Sequence, residues 1–225
     1  MAQLVIRNVS VLVVPAVREC RVDEAQDIHV EDDRITAVSP TSAAPGEGEV
    51  IDGTGLLAVP GLVNSHTHSP MVMMRGAAED VSIDDWFNKR IWPMEVNLTP
   101  ERVRVGARLA CAEMLLAGVT TFVDHYFHAD QIAQAALETG IRADLAPTYF
   151  SSTGPDAIDA AIATTRELSA LDPRITAGLG PHATYTVTDE DLRRTSDIAQ
   201  AEGFRIHLHA AETDEQTQSS VDRLG

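Results

Sequence analysis

Basic residues are scarce in this sequence. There are 17 Lys and Arg against 34 Asp and Glu, a formal net charge of -17, and a surface of that sign repels polyanions, which excludes nucleic-acid binding through a basic face. Long apolar runs are missing as well: Leu56 to Val63 is interrupted by Pro60 and Gly61, well short of the ~20 residues a membrane span needs. The opening MAQLVIRNVS lacks a basic start followed by an apolar block, so no secretory signal is visible. The two cysteines, Cys20 and Cys111, lie far apart in apolar-looking segments. They predict a reduced, cytoplasmic chain in which both are small buried hydrophobes.

The residues that are present can bury a core: 44% of the 225 are hydrophobic and 23% charged, which excludes disorder, collagen and coiled coil. Short β-type runs fill residues 1–58, at Leu4 to Ile6, Val11 to Val14, Ile28 to Val30, Ile35 to Val38, Val50 with Ile51, and Leu56 to Val59. Turn signals at Glu31-Asp32-Asp33 and Pro40 to Gly48 divide them. From residue 59 onward apolar strands that end in polar residues alternate with helical stretches, the pattern of a parallel α/β sheet or barrel. The predicted strands are Gly61 to His68, Thr120 to Tyr126, Arg142 to Phe150, Ile175 to His182 and Phe204 to Ala210. The predicted helices are Pro100 to Ala117, capped by Thr99, then Gln131 to Glu138, Pro155 to Ala170 and Asp189 to Ala201, the last opened by the acidic run Asp189-Glu190-Asp191. Val221 to Gly225 reads as part of a helix after the fifth strand. Ser69 to Leu98, with Trp86 and Trp92, reads as a long loop on the catalytic face, a lid. Five strands cannot close a barrel that needs eight.

His66-Thr67-His68 closes the first of these strands, and side chains at i and i+2 share a face, so both imidazoles can reach one metal ion. The fifth strand ends in His207-Leu208-His209-Ala210-Ala211-Glu212. His207 and His209 share a face roughly 7 Å apart, so the one nearer the mouth, His209, is the candidate ligand. His207 reads as a core histidine or as a support for a ligand. Glu212, just past the strand end, is placed to shuttle a proton beside a metal-bound water. Asp124, His125 and His128, near the expected mouth, have two readings, as supports for the metal ligands or, ahead of that, as polar loop residues, and His29 reads as structural.

The runs GLVNSHTHSPMVMMRG, DDWFNKRIWPME, GVTTFVDHYF, GLGPHATYT and IHLHAAETDEQ, in this order, resemble the amidohydrolase superfamily. The likeness is to its cytosine-deaminase-like branch, which includes methylthioadenosine and S-adenosylhomocysteine deaminases and has the s-triazine chlorohydrolases as relatives. It extends over essentially the whole chain. It implies a (β/α)8 barrel, represented by its first five strands in 59–225, preceded at 1–58 by a small β-sandwich segment that a C-terminal part normally completes. It also implies one divalent metal, zinc first and iron or manganese by the same donor chemistry, with His66, His68 and His209 as ligands. Hydroxide formed at the metal attacks the amine-bearing carbon of a purine-like ring, while Glu212 protonates a ring nitrogen. In the same way Glu95 binds ribose hydroxyls, His182 faces the substrate, and Trp86 with Trp92 walls an aromatic ring.

Family members add a His from the sixth strand and an Asp from the eighth, and neither lies in these 225 residues. The expectation is that this chain alone is inactive, and that a second polypeptide or a separated C-terminal part supplies strands six to eight; a homo-oligomer is compatible with this. Relatives acting on S-adenosylhomocysteine carry arginines after the third strand, whereas here no basic residue follows Ser151 before Arg166. Arg75 reads as structural. The function expected is hydrolytic deamination of adenosine, 5'-deoxyadenosine or a methylthioadenosine-like compound, with no nucleic acid or membrane partner. The alternatives are a triazine, guanine or pterin hydrolase, and a non-catalytic truncated paralogue or subunit.

Overall fold

The computed structural model describes residues 3–16, 18–42 and 48–225, and the chain divides into two compact units, Met1–Gly61 and Leu62–Gly225. In the first unit, β1 (Gln3–Ala16) and β2 (Glu19–Glu31) form a long antiparallel hairpin, and β3 (Arg34–Pro40) pairs with β2 after a turn at Asp32. The short β4 (Glu49–Asp52) and β5 (Leu57–Ala58) run parallel to β1. Part of the expected Pro40 to Gly48 turn, residues 43–47, lies outside the described residues. Val5, Val9 and Ile28 form the small buried core. β2 begins well before the expected Ile28, and its outer end carries Cys20, which is exposed; only Cys111 is buried. The expectation that both cysteines are buried is therefore corrected: Cys20 sits at the turn end of the hairpin, away from the buried residues Val5, Val9 and Ile28.

The second unit is a five-stranded, all-parallel sheet in the order β10-β9-β8-β7-β6. Its strands are β6 (Leu62–Thr67), β7 (Val119–Tyr126), β8 (Arg142–Tyr149), β9 (Ile175–Pro181) and β10 (Arg205–Ile206). The longer helices are α1 (Pro100–Leu116), α2 (Ala129–Thr139), α3 (Pro155–Ser169), α4 (Asp189–Glu202) and α5 (Asp214–Leu224). The segment Ser69 to Leu98, expected as a loop, is instead largely helical, with short turns at Ser69–Met74 and from Ile83 through Glu95. Three start on a threonine whose hydroxyl accepts a backbone N–H, namely Thr99, Thr188 and Thr213, and this satisfies donors the helix cannot. Gly140 and Gly203, both at positive φ, end α2 and α4. The alanine-rich face of α2, with Ile132, packs with Phe122 of β7, Leu145 of β8 and Cys111 of α1 in one core, and small side chains let the helix lie close to the sheet.

The fifth strand is shorter than Phe204 to Ala210. Regular pairing covers Arg205–Ile206, and a further isolated bridge joins His209 to Ala183, just past the end of β9. His207 N–H still donates to Leu179 O at 2.9 Å, but the next ladder bond needs an N–H from Pro181, which has none. The helix expected at Val221 to Gly225 begins earlier, at Asp214. No helix among the described residues is long and apolar enough to cross a membrane.

Candidate metal centre

The C-terminal ends of the parallel strands bring the chemistry together. His66 lies near the end of β6 and His68 just beyond it, with ring centroids 5.4 Å apart, and His209 follows β10 with its ring 5.4 Å from His66 and 5.2 Å from His68. One ligating atom from each of the three lies within 4.8 Å of the others. His68 Nδ1 is 2.7 Å from the His125 carbonyl oxygen. A carbonyl only accepts, so Nδ1 carries the proton and Nε2 keeps its lone pair. Burial, together with the neighbouring His209 and His66, lowers the His68 pKa to about 4, so the imidazole is neutral at pH 7, as a ligand must be. Three imidazoles suit a divalent ion such as zinc.

The triad lines one end of a cavity of ≈ 580 Å³. Ala211, at φ 53°, turns the chain between His209 and Glu212. Glu212 also lines the cavity, and its Oε2 accepts from the Tyr185 hydroxyl at 3.1 Å. Burial, then the Glu212 charge, pushes the Tyr185 pKa up to about 12, so it remains a donor. Elsewhere in the lining is Glu95, whose Oε1 accepts from the Tyr126 hydroxyl at 2.6 Å. Burial raises the Glu95 pKa, and the Tyr126 bond offsets this only in part. His182 Nδ1 lies 2.9 Å from Thr186 Oγ1, and its ring packs on Phe150 with centroids 4.6 Å apart. Burial first, then His209 and His68, hold its pKa near 4, so it too is uncharged at neutral pH.

The model of the amidohydrolase family matches residues 57–225. The chain belongs to this family. Over 193 residues, 83% of this chain and 45% of the relative, the amidohydrolase is 41% identical to a 5-methylthioadenosine/S-adenosylhomocysteine deaminase of Pelotomaculum thermopropionicum. It is 39% identical over 200 residues, 86% of this chain and 46% of the relative, to a 5'-deoxyadenosine deaminase of Methanothermobacter thermautotrophicus. Among solved structures it is similar to a zinc-bound adenosine deaminase from Xanthomonas campestris, with a TM-score of 0.83 and 32% identity, over 100% of this chain and 53% of that one. The chain thus spans about half the length of the curated relatives it matches.

Within the amidohydrolase, the residues expected around the site fall into place unevenly. Trp86 lines the cavity beside Phe87, whereas Trp92 stacks behind Phe87 with centroids 6.1 Å apart and does not reach the lining. Arg75 is held by Glu113 in a two-toothed ion pair, in keeping with a structural role. His207 stands 3.8 Å from Asp144. The reading of Asp124 and His125 as loop residues is corrected: both lie inside β7, the strand expected over Thr120 to Tyr126, and both are buried, at 1% and 7% exposure. Asp124 accepts the Ser69 N–H at 3.0 Å, directly behind His68, and burial pushes its pKa up to about 7 against the Ser69 hydrogen bonds. The exposed His128 begins α2 as expected of a loop residue. Reasoning from sequence missed Tyr126, Phe87, Phe127, Phe150 and Tyr185 as lining residues and gave His125 a place near the mouth only as its second reading. Only His125 left a usable signal, since in a strand it alternates with Asp124 and must face the opposite side.

Proposed function

We propose that this amidohydrolase hydrolyses the exocyclic amine of a purine nucleoside, releasing ammonia, with His66, His68 and His209 holding one divalent ion, zinc first. The observation that carries this is the convergence of three imidazoles on one point of a cavity that also exposes two carboxylates, Glu212 and Glu95. The bound ion supplies Lewis acidity that makes a water nucleophilic at neutral pH. Glu212, steadied by the Tyr185 hydroxyl, is the residue that would carry a proton from the attacking water to a ring nitrogen beside the amine-bearing carbon. Glu95, held from one side by Tyr126, offers its remaining lone pairs to vicinal ribose hydroxyls. His182 forms part of the wall around the substrate, and Trp86 and Phe87 supply aromatic surface that excludes water from the base.

The five-stranded sheet has two edges, and both expose apolar residues: Leu62 and Val63 on β6, Ile206 on β10. Such edges need partners. In this reading the remaining three strands come from the rest of the same protein or from a second polypeptide, and they complete the proton handling. The test is ammonia release from adenosine, 5'-deoxyadenosine and 5'-methylthioadenosine by the zinc-loaded assembled protein. Turnover with stoichiometric ammonia is expected. A fully metallated assembly that leaves all three nucleosides unchanged overturns the reading.

A further inference from the structure

His125 is not among the three candidate ligands, yet it touches two of them by different groups. Its main-chain carbonyl accepts from His68 Nδ1, and its ring lies on the His209 ring with centroids 5.3 Å apart and planes 27° from parallel. The ring itself is fixed. Its Nε2 is 3.2 Å from the Gly180 carbonyl oxygen, which only accepts, so Nε2–H is the donor and the imidazole bridges from β7 past β8 to β9. Gly180 has no room for a side chain: a Cβ there would stand 2.4 Å from Pro147 O, so β8 and β9 lie tightly together where the imidazole is tied.

His209 needs such a support. Pro181 breaks the ladder beneath it, regular pairing stops at Ile206, and after the His207 N–H bond to Leu179 O the His209 backbone is held by its own N–H to His182 O at 2.9 Å, just past the end of β9. A ligand on a weakly paired segment takes its ring orientation from what packs against it. We propose that His125 is a positioning residue for the metal centre: its imidazole, locked to Gly180, is the surface that sets the His209 ring, while its carbonyl sets His68. This rests on the reading of His66, His68 and His209 as ligands.

Titration of the assembled, metal-free protein with Co2+, read by its visible ligand-field absorption, tests both claims separately. His125→Ala is expected to weaken Co2+ binding about tenfold, within the range found when a group that orients a metal ligand is removed, and to change the band shape. His125→Phe, which restores a ring against His209 without the bond to Gly180, is expected to recover part of the affinity and to serve if the alanine variant folds poorly. Unchanged affinity and spectrum in both variants, with binding lost in His209→Ala, overturns the role of His125 and leaves the triad standing. A lower Tm in His125→Ala with an unaltered cobalt spectrum overturns it equally, as does complete loss of binding in both His125 variants, which would make His125 a ligand. If the assembled wild-type protein takes up no Co2+, or its His209→Ala variant binds as well as wild type, the triad reading fails and this inference with it.

Discussion

Tyr126 and Glu95 come from different segments, 31 residues apart, and meet in a 2.6 Å hydrogen bond in which the phenol donates to Glu95 Oε1. Tyr126 is only 4% exposed, and burial and the Glu95 charge both keep its hydroxyl protonated. The phenol therefore always donates, and the carboxylate is aimed before any ligand arrives. Replacing Tyr126 with Phe removes an ion-assisted bond of about 1.5–3 kcal/mol. In the assembled protein, KM for adenosine should rise about tenfold or more with a smaller change in kcat, whereas a nucleoside lacking one ribose hydroxyl should lose less. Glu95 already sits above its ordinary pKa because burial outweighs the Tyr126 bond. Without that bond it rises further, so the acid limb of the kcat/KM profile should move to higher pH. An unmoved limb and equal losses for both nucleosides would separate Tyr126 from Glu95's role.

Gly106 of α1 ties the core to the metal centre. A Cβ at this position would stand 2.7 Å from Pro70 O and 2.8 Å from Met73 Cε, so the helix rests against the segment that follows His68. Gly106→Ala gains helix propensity of about 0.8–1 kcal/mol, but the overlap with backbone forces the 69–74 turn outward, at about 1–3 kcal/mol. Net destabilisation is expected in chemical denaturation, together with weaker Co2+ binding, since His68 moves with the turn. A variant as stable as wild type with unchanged cobalt affinity would show that the segment yields without disturbing His68.

How much of this was legible in the sequence depended on how local each cause is. His66 and His68 could be read from the period of a strand, and His209 could be chosen over His207 because one lies nearer the strand end; the structure sets His209 with the first pair and His207 against Asp144. Thr99 and Gly203 marked helix ends because caps act over three or four residues. The short fifth strand was not legible, because it depends on a proline in the neighbouring strand. Nor was the burial of Asp124: its partner, the Ser69 N–H, is 55 residues away, and a charged residue in a strand looks like a loop residue until that partner is known. Tyr126 and Glu95 were hidden from each other in the same way.

In the first unit a pH effect should appear at Asp27, 3% exposed. Burial alone would push its carboxyl up, but the N–H groups of Asn8 and Ser42, the Thr41 hydroxyl and the Arg7 charge together hold it below its ordinary value of 3.8. A carboxyl whose folded pKa is depressed contributes stability that is fully present above its unfolded pKa and is lost as pH falls through the folded one. The wild-type unfolding midpoint should therefore fall as pH drops from about 4 toward 2, and Asp27→Asn, already lower at pH 7, should have lost that part of the acid dependence. Parallel curves for the two proteins would place the acid sensitivity elsewhere.

No Lys or Arg lines the cavity among the described residues, while Glu95, Glu212 and Tyr185 do, as do apolar groups such as Met71, Phe127 and Phe150. A carboxylate entering such a space leaves water without a guanidinium to meet it and comes near two existing anions, a cost that a neutral substituent avoids. The stretch after β8, Ser151 to Thr165, contains no basic residue either. In the assembled protein kcat/KM for S-adenosylhomocysteine should then be at least about tenfold below that for 5'-deoxyadenosine, the ratio that a loss of about 1.4 kcal/mol gives. Placing a cation in the wall by Phe150→Arg should narrow the gap from the charged side, raising the value for the carboxylate-bearing nucleoside while lowering it for the deoxy one. Equal turnover of the two by the unmodified protein would mean that a cation reaches the cavity from outside these 225 residues, and that the choice of substrate is not made by β8 and the segment behind it.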